Sequence, residues 1–127
     1  MLLNLIYIGI GGFIGSICRF LVYQAADKFY HKTAFPFGTL IVNSVGSFLI
    51  GICLALALKY QIIERHTISH YLFVTGFLGA FTTFSAFSQD NLILFFDKNY
   101  LYLVMNIFFN LLFGLSLVYL GYSLVKN

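Results

Sequence analysis

The stretch Gly76-Phe77-Leu78-Gly79-Ala80-Phe81-Thr82-Thr83-Phe84-Ser85-Ala86-Phe87-Ser88-Gln89-Asp90 lies inside an apolar run from about residue 70 to 96. Glycine is permissive, and hydroxyl side chains compete for backbone groups, so this mixture weakens a regular helix. At membrane depth, irregular backbone survives only where it is buried in protein or lines a watery cavity. Either the segment breaks there, or its small residues pack tightly against neighbouring helices. Phe84 and Phe87, three apart, share one helical face.

Working outward, three more runs have the ~20 apolar residues needed to cross a hydrocarbon core. They cover residues 2 to about 23, about 37 to 58, and 101 to about 125. The connectors are 24–36, 59–69 and 97–100, so no extramembrane domain fits, and residues 1–127 read as one four-helix transmembrane domain. Pro36, the only proline, stands where a helix start tolerates its missing N–H. Ser69 is the expected N-cap of the third helix. The first run lacks a positive start and a small-residue cleavage site, so it reads as a membrane helix and not a removable leader.

Composition agrees. Of 127 residues, 61% are hydrophobic and 9% charged, with sixteen Phe, nine Tyr and no Trp. Mean hydropathy is +0.93. Soluble domains carry roughly 25% charged residues, and disordered chains are more polar still. The net charge of +3 comes from seven scattered Lys and Arg, which excludes a nucleic-acid surface. Cys18 and Cys53 fall in apolar runs without metal-ligand spacing and read as buried thiols.

Positive charge does not choose an orientation. Lys59, Arg65 and Lys126 flank one side; Lys28, Lys32 and Lys98 flank the other, with Arg19 tipping the second slightly. Such a chain inserts both ways up, or a partner decides.

Polar side chains inside the spans are the candidate functional residues. In the second run, Asn43, Ser47 and Gly51 follow one another at intervals of four, and an Asn amide either glues helices or donates to an anion. In the fourth, Tyr102, Asn106 and Asn110 form a polar ladder on one face, which suggests a hydrated track. Gly11-x-x-x-Gly15 and Gly12-x-x-x-Ser16 are close-packing patterns. Arg19 beyond them either snorkels or attracts anions at a vestibule. His31, His66 and His70 lie in or beside connectors and read as solvated, and Asp90 is either paired or at a cavity mouth.

Three ordered blocks carry a family resemblance: Gly11-Gly12-Phe13-Ile14-Gly15-Ser16-Ile17-Cys18-Arg19-Phe20, then residues 38–48 from Gly38-Thr39-Leu40 to Gly46-Ser47-Phe48, then residues 79–88. The chain resembles the small bacterial-type fluoride channels, the Fluc or CrcB-like family. The resemblance implies an all-α membrane protein with a break in the third of four helices, assembled as an antiparallel, dual-topology homodimer with two fluoride pores. It implies a central structural sodium ion held by the backbone carbonyls of Gly79 and Thr82 from both subunits. It assigns Phe84, Phe87 and Asn43 to the fluoride-facing positions, with Ser85, Arg19 and the Tyr102, Asn106, Asn110 track in the pore. Ala86 stands where the family motif usually has Thr, Asp90 where Glu is frequent, and the asparagines where many members have Ser.

The expected activity is passive fluoride export across a bacterial-type plasma membrane, with no enzymatic step and no nucleic-acid partner. A small dual-topology multidrug exchanger would need a membrane-embedded carboxylate, whereas none of Asp27, Glu64, Asp90 and Asp97 is central in the first helix. A non-conducting membrane subunit would explain the Gly/Ser faces but not the polar track. The partner in the dimer is either the same chain or a paralogue.

Overall fold

The computed structural model describes residues 1–63 and 66–126. Glu64 and Arg65, which entered the sequence reading as an acidic and a flanking basic residue, lie outside the described residues. The described chain is helical in its spans except at Thr82 and Thr83: α1 is Leu2–Tyr30 and α2 is Phe37–Tyr60. Next, α3 (residues 70–81) comprises a π-helical run, His70–Leu78, that passes into an α-helical turn, Gly79–Phe81. Thr82 and Thr83 follow in extended conformation, then α4, Phe84–Phe96, and α5, Tyr100–Lys126. Four helical stretches, with His70–Phe96 counted as one, are long and apolar enough to cross a membrane.

Two local expectations are corrected. The first helix does not stop near Tyr23 but runs on to Tyr30, because residues 24–30 contain helix formers such as Ala25, Ala26 and Lys28 and no breaker. Ser69 makes no capping hydrogen bond and is itself helical. Thr67 caps instead: its Oγ1 accepts from the His70 N–H at 3.2 Å, while its carbonyl accepts from Tyr71. The π-helical geometry was not foreseen; the Gly79 N–H reaches the Val74 carbonyl five residues back. Pro36 stands immediately before α2, and its carbonyl accepts from the Leu40 N–H at 3.3 Å.

The helices pack in two tight pairs, α2 on α5 and α1 on α3, with α4 resting on α5. Each tight pair brings backbone against backbone. A Cβ added at Gly11 would fall on the Leu72 carbonyl, and one at Gly15 on that of Phe77, so the Gly11-x-x-x-Gly15 spacing does place a close approach. The α2–α5 pair uses Gly51 against Val118 and Gly121 against Phe48. At its end, Lys59 Nζ donates to the Val125 and Lys126 carbonyls at 3.0 Å each, where the α5 dipole is negative. The outer faces stay apolar and exposed, including Leu5, Phe13 and Phe20 on α1 and Leu101, Phe108 and Leu115 on α5. Those faces suit lipid tails, which compete no better than leucine for one another.

This packing makes a testable contrast. In Gly51→Ala the new methyl meets the Val118 backbone, so α2 and α5 must separate, at a cost of about 1–3 kcal/mol. Gly9→Ala meets nothing within 4 Å and leaves stability unchanged or slightly raised. Thermal unfolding in detergent checks the pair, and equal midpoints would contradict the backbone contact.

Candidate functional site

The site is built around two residues that leave helical geometry. Thr82 has φ −82° and ψ 160°, and Thr83 has φ −153° and ψ 120°. Both the N–H and the Oγ1 of Thr82 donate to the Leu78 carbonyl at 3.0 Å, which closes α3. Thr83 opens α4 as its N-cap: Oγ1 accepts from the Ala86 N–H at 3.1 Å and lies 3.2 Å from Ser85 Oγ.

Asn43 of α2 replaces the helical partners that Thr83 has lost. Its Oδ1 accepts from the Thr83 N–H at 2.9 Å, and its Nδ2 donates to the Thr83 carbonyl at 3.1 Å. The side-chain amide thus pairs with one backbone unit as a neighbouring strand would. The second Nδ2 hydrogen goes to Asn110 Oδ1 at 3.2 Å. Asn110 Nδ2 in turn donates to Asn106 Oδ1 at 2.9 Å, and Asn106 Nδ2 to Asn91 Oδ1 at 2.9 Å. Asn106 is fully buried, so its amide depends on these partners.

The expected residues are therefore divided. Asn43, Asn106 and Asn110 come together in one hydrogen-bonded chain, although they lie on two helices. Tyr102 stays apart from it, with its ring edge-on to Phe35 at 5.9 Å between centroids. Asn91 was missed. Its signal was only an amide heading the apolar run Leu92-Ile93-Leu94-Phe95-Phe96, with no spacing on its own helix to mark it.

Thr83 lines two cavities. One, of about 400 Å³, is bounded by Asn43, Gly46, Gly79, Thr82 and Phe84. The other, of about 220 Å³, holds Arg19, Tyr23, Ser85, Ala86 and Gln89. Among the described residues the Arg19 guanidinium has no hydrogen-bond or ion-pair partner, so its charge is available to the cavity. A third cavity, of about 470 Å³, is polar and includes Asp27, His31, Thr39 and Asp90. Asp90 is both paired and at a cavity wall: it accepts from Thr39 Oγ1 at 2.5 Å, and Thr39 lies 2.8 Å from the Tyr23 hydroxyl.

Phe84 is 79% exposed, and its ring centroid lies 5.7 Å from that of Phe87. An exposed ring beside a polar backbone segment, with the half-buried Phe87 next to it, can offer its edge, the positive part of the quadrupole, to whatever covers this face. The carbonyls of Gly79 and Thr82 are also distinctive. The amides that would saturate them in a continuous helix, Thr83 N–H and Ala86 N–H, donate to the Asn43 and Thr83 side chains. Neutral carbonyl oxygens released in this way suit a hard cation. Among the described residues no three His, Cys, Asp or Glu side chains converge on a metal position. Cys18 and Cys53 are free thiols, Cys53 buried and Cys18 half-buried.

Comparison with known proteins covers nearly the whole chain. The family model described as "CrcB-like protein, Camphor Resistance (CrcB)" matches residues 6–122. A Campylobacter jejuni protein named fluoride-specific ion channel FluC is 42% identical over 128 residues, spanning 99% of this chain and 100% of that one. Proteins of the same name from Campylobacter fetus and Azobacteroides pseudotrichonymphae are 41% and 40% identical, over 97% and 99% of this chain and 94% and 98% of theirs.

Proposed function

This chain belongs to the CrcB-like family, and from that premise we propose that it exports fluoride passively from the cytoplasm through two pores in an antiparallel dimer. It is a multi-pass protein of the cell membrane and a fluoride channel, not an enzyme. The observation that carries the mechanism is the exposed Phe84, paired with the half-buried Phe87, beside the extended Thr82–Thr83 segment at membrane depth. We read that segment as the break in the third helix.

Fluoride is small and strongly hydrated, so a selective pore must replace its water with well-placed donors. Ring edges, hydroxyls and amides do so without a fixed cation that would hold the ion too long. Arg19 raises the local anion concentration on one side of Thr83, the Ser85 hydroxyl offers a donor there, and Phe84 and Phe87 receive the ion. Asn110 and Tyr102 mark the path along α5, and the fully buried Asn106 supports Asn110 from behind instead of lining the path. Both Nδ2 hydrogens of Asn43 are already engaged by Thr83 and Asn110. Its first task is therefore to hold Thr83, and through it Phe84, in place. Contact of its amide with fluoride requires exchange of the Asn110 bond.

A second, inverted copy would cover the exposed Phe84 face and bring a second pair of Gly79 and Thr82 carbonyls to the first. Those four oxygens would hold sodium, which when bound neutralises their converging dipoles and ties the subunits together. The balanced flanking charges support insertion in both orientations.

Fluoride efflux from vesicles containing the purified chain, with chloride as control, tests the function. Fluoride release with chloride retained is the expected result; no release from a folded dimer would return the chain to a packing role. For topology, a cysteine placed in the α4–α5 turn of a Cys18→Ser, Cys53→Ser background should react with a sided reagent in about half the molecules. Reaction of nearly all or nearly none would contradict dual insertion.

A further inference from the structure

The amide chain behind Thr83 has only one hydrogen-bonding polarity. The Thr83 N–H can only donate and its carbonyl can only accept, so Asn43 must present Oδ1 to the first and Nδ2 to the second. That leaves the second Nδ2 hydrogen facing Asn110, which must offer its oxygen. Asn110 then offers Nδ2 to Asn106, and Asn106 offers Nδ2 to Asn91 Oδ1. Orientation passes from a backbone unit through three side chains, and it terminates on a residue 40 or more positions from where Asn43 stands in the sequence. We infer that Asn91 is a positioning residue for fluoride passage: its side-chain oxygen closes the chain that keeps Asn43 clamped on Thr83.

The burial pattern gives the inference its force. Asn106 is fully buried, so water cannot replace an acceptor lost at Asn91. Its amide must then turn or shift to recover a partner, and every such move withdraws the side-chain acceptor of one Asn110 hydrogen, leaving Asn110 Nδ2 with the Asn106 backbone carbonyl at 3.0 Å alone. Linked amides in a low-dielectric setting polarise and orient one another, so the disturbance travels toward Asn43. Asn91 itself touches neither Phe84 nor Thr83 in any hydrogen bond, and its effect is exerted through Asn106. Its Nδ2 has no hydrogen-bond partner among the described residues, so the oxygen is the atom at stake.

The inference rests on the fluoride-channel reading, and its test separates the two. The full-length dimer, labelled with ¹⁵N-asparagine, is compared as parent, Asn91→Leu and Asn91→Asp. Asn91→Leu should lower fluoride efflux about tenfold, as expected for a buried amide left unpaired, without loss of the dimer on gel filtration. It should also move the side-chain NH₂ signals of Asn106, Asn110 and Asn43 together. Asn91→Asp keeps an acceptor oxygen and should return the Asn43 and Asn110 signals to parent positions. Should Asn91→Leu fail to fold, Asn91→Ser, too short to reach Asn106, must move the same three signals. A purely local packing role would move Asn106 alone; that outcome, or parent efflux in Asn91→Leu, overturns the inference. A parent that passes no fluoride would defeat the channel reading instead, and the spectra would still decide the amide chain.

Discussion

Phe84→Ile and Phe87→Ile should each reduce fluoride efflux by about 10- to 100-fold, the worth of one contact to a charged group. Isoleucine keeps apolar bulk but removes the positive ring edge that is proposed to face the anion. Phe84 makes the cleaner test because it is 79% exposed in the isolated chain. Its replacement therefore costs the subunit fold little, and lost flux cannot be blamed on a collapsed core. Phe87 is half-buried, so its variant needs a melting curve beside the flux measurement. Cys18→Ser and Cys53→Ser provide the contrasting pair, with efflux close to the parent. Two well-folded isoleucine variants that conduct at the parent rate would eliminate the ring-edge mechanism.

Asn43→Asp should be the most damaging single-atom exchange in the molecule. An ionised carboxylate can still accept from the Thr83 N–H, but it sets an oxygen against the Thr83 carbonyl, now 3.1 Å from a donating nitrogen. Rotation does not help, because one carboxylate oxygen always faces that carbonyl. Losing the bond and opposing two acceptors should cost about 3 kcal/mol or more, equivalent to over 100-fold in an equilibrium. A negative charge here would also repel the permeating ion. The expected result is efflux near the protein-free background together with a lower melting temperature. Asn43→Ala, which removes the clamp without adding an acceptor, should be milder in both measurements. Equal behaviour of the two variants would show that the Thr83 pairing is not the source of the effect.

Much of the architecture was legible because it depends on short stretches of chain. Whether about twenty residues favour lipid over water is a sum over those residues, and the second and third spans begin at Phe37 and His70 as read. Gly11 and Gly15 marked a close approach because a missing Cβ matters to any neighbour. The α1 end was misjudged by the same local logic: loss of apolar character signals departure from the bilayer, not the end of hydrogen bonding, and α1 continues to Tyr30.

Partner choice was not legible. Asn43 could be recognised as a polar group that needed bonds, but not as the clamp on Thr83, 40 residues away. Asn91 carried no spacing signal because its partner, Asn106, belongs to another helix. Thr39 and Asp90 meet across 51 residues for the same reason. Sequence alone determined four apolar helices, the Gly11–Gly15 contact face and the family. Tertiary structure decided which amide serves which backbone group, since a buried hydrogen bond forms with whatever packing brings within about 3 Å, and packing joins residues that the chain order keeps apart.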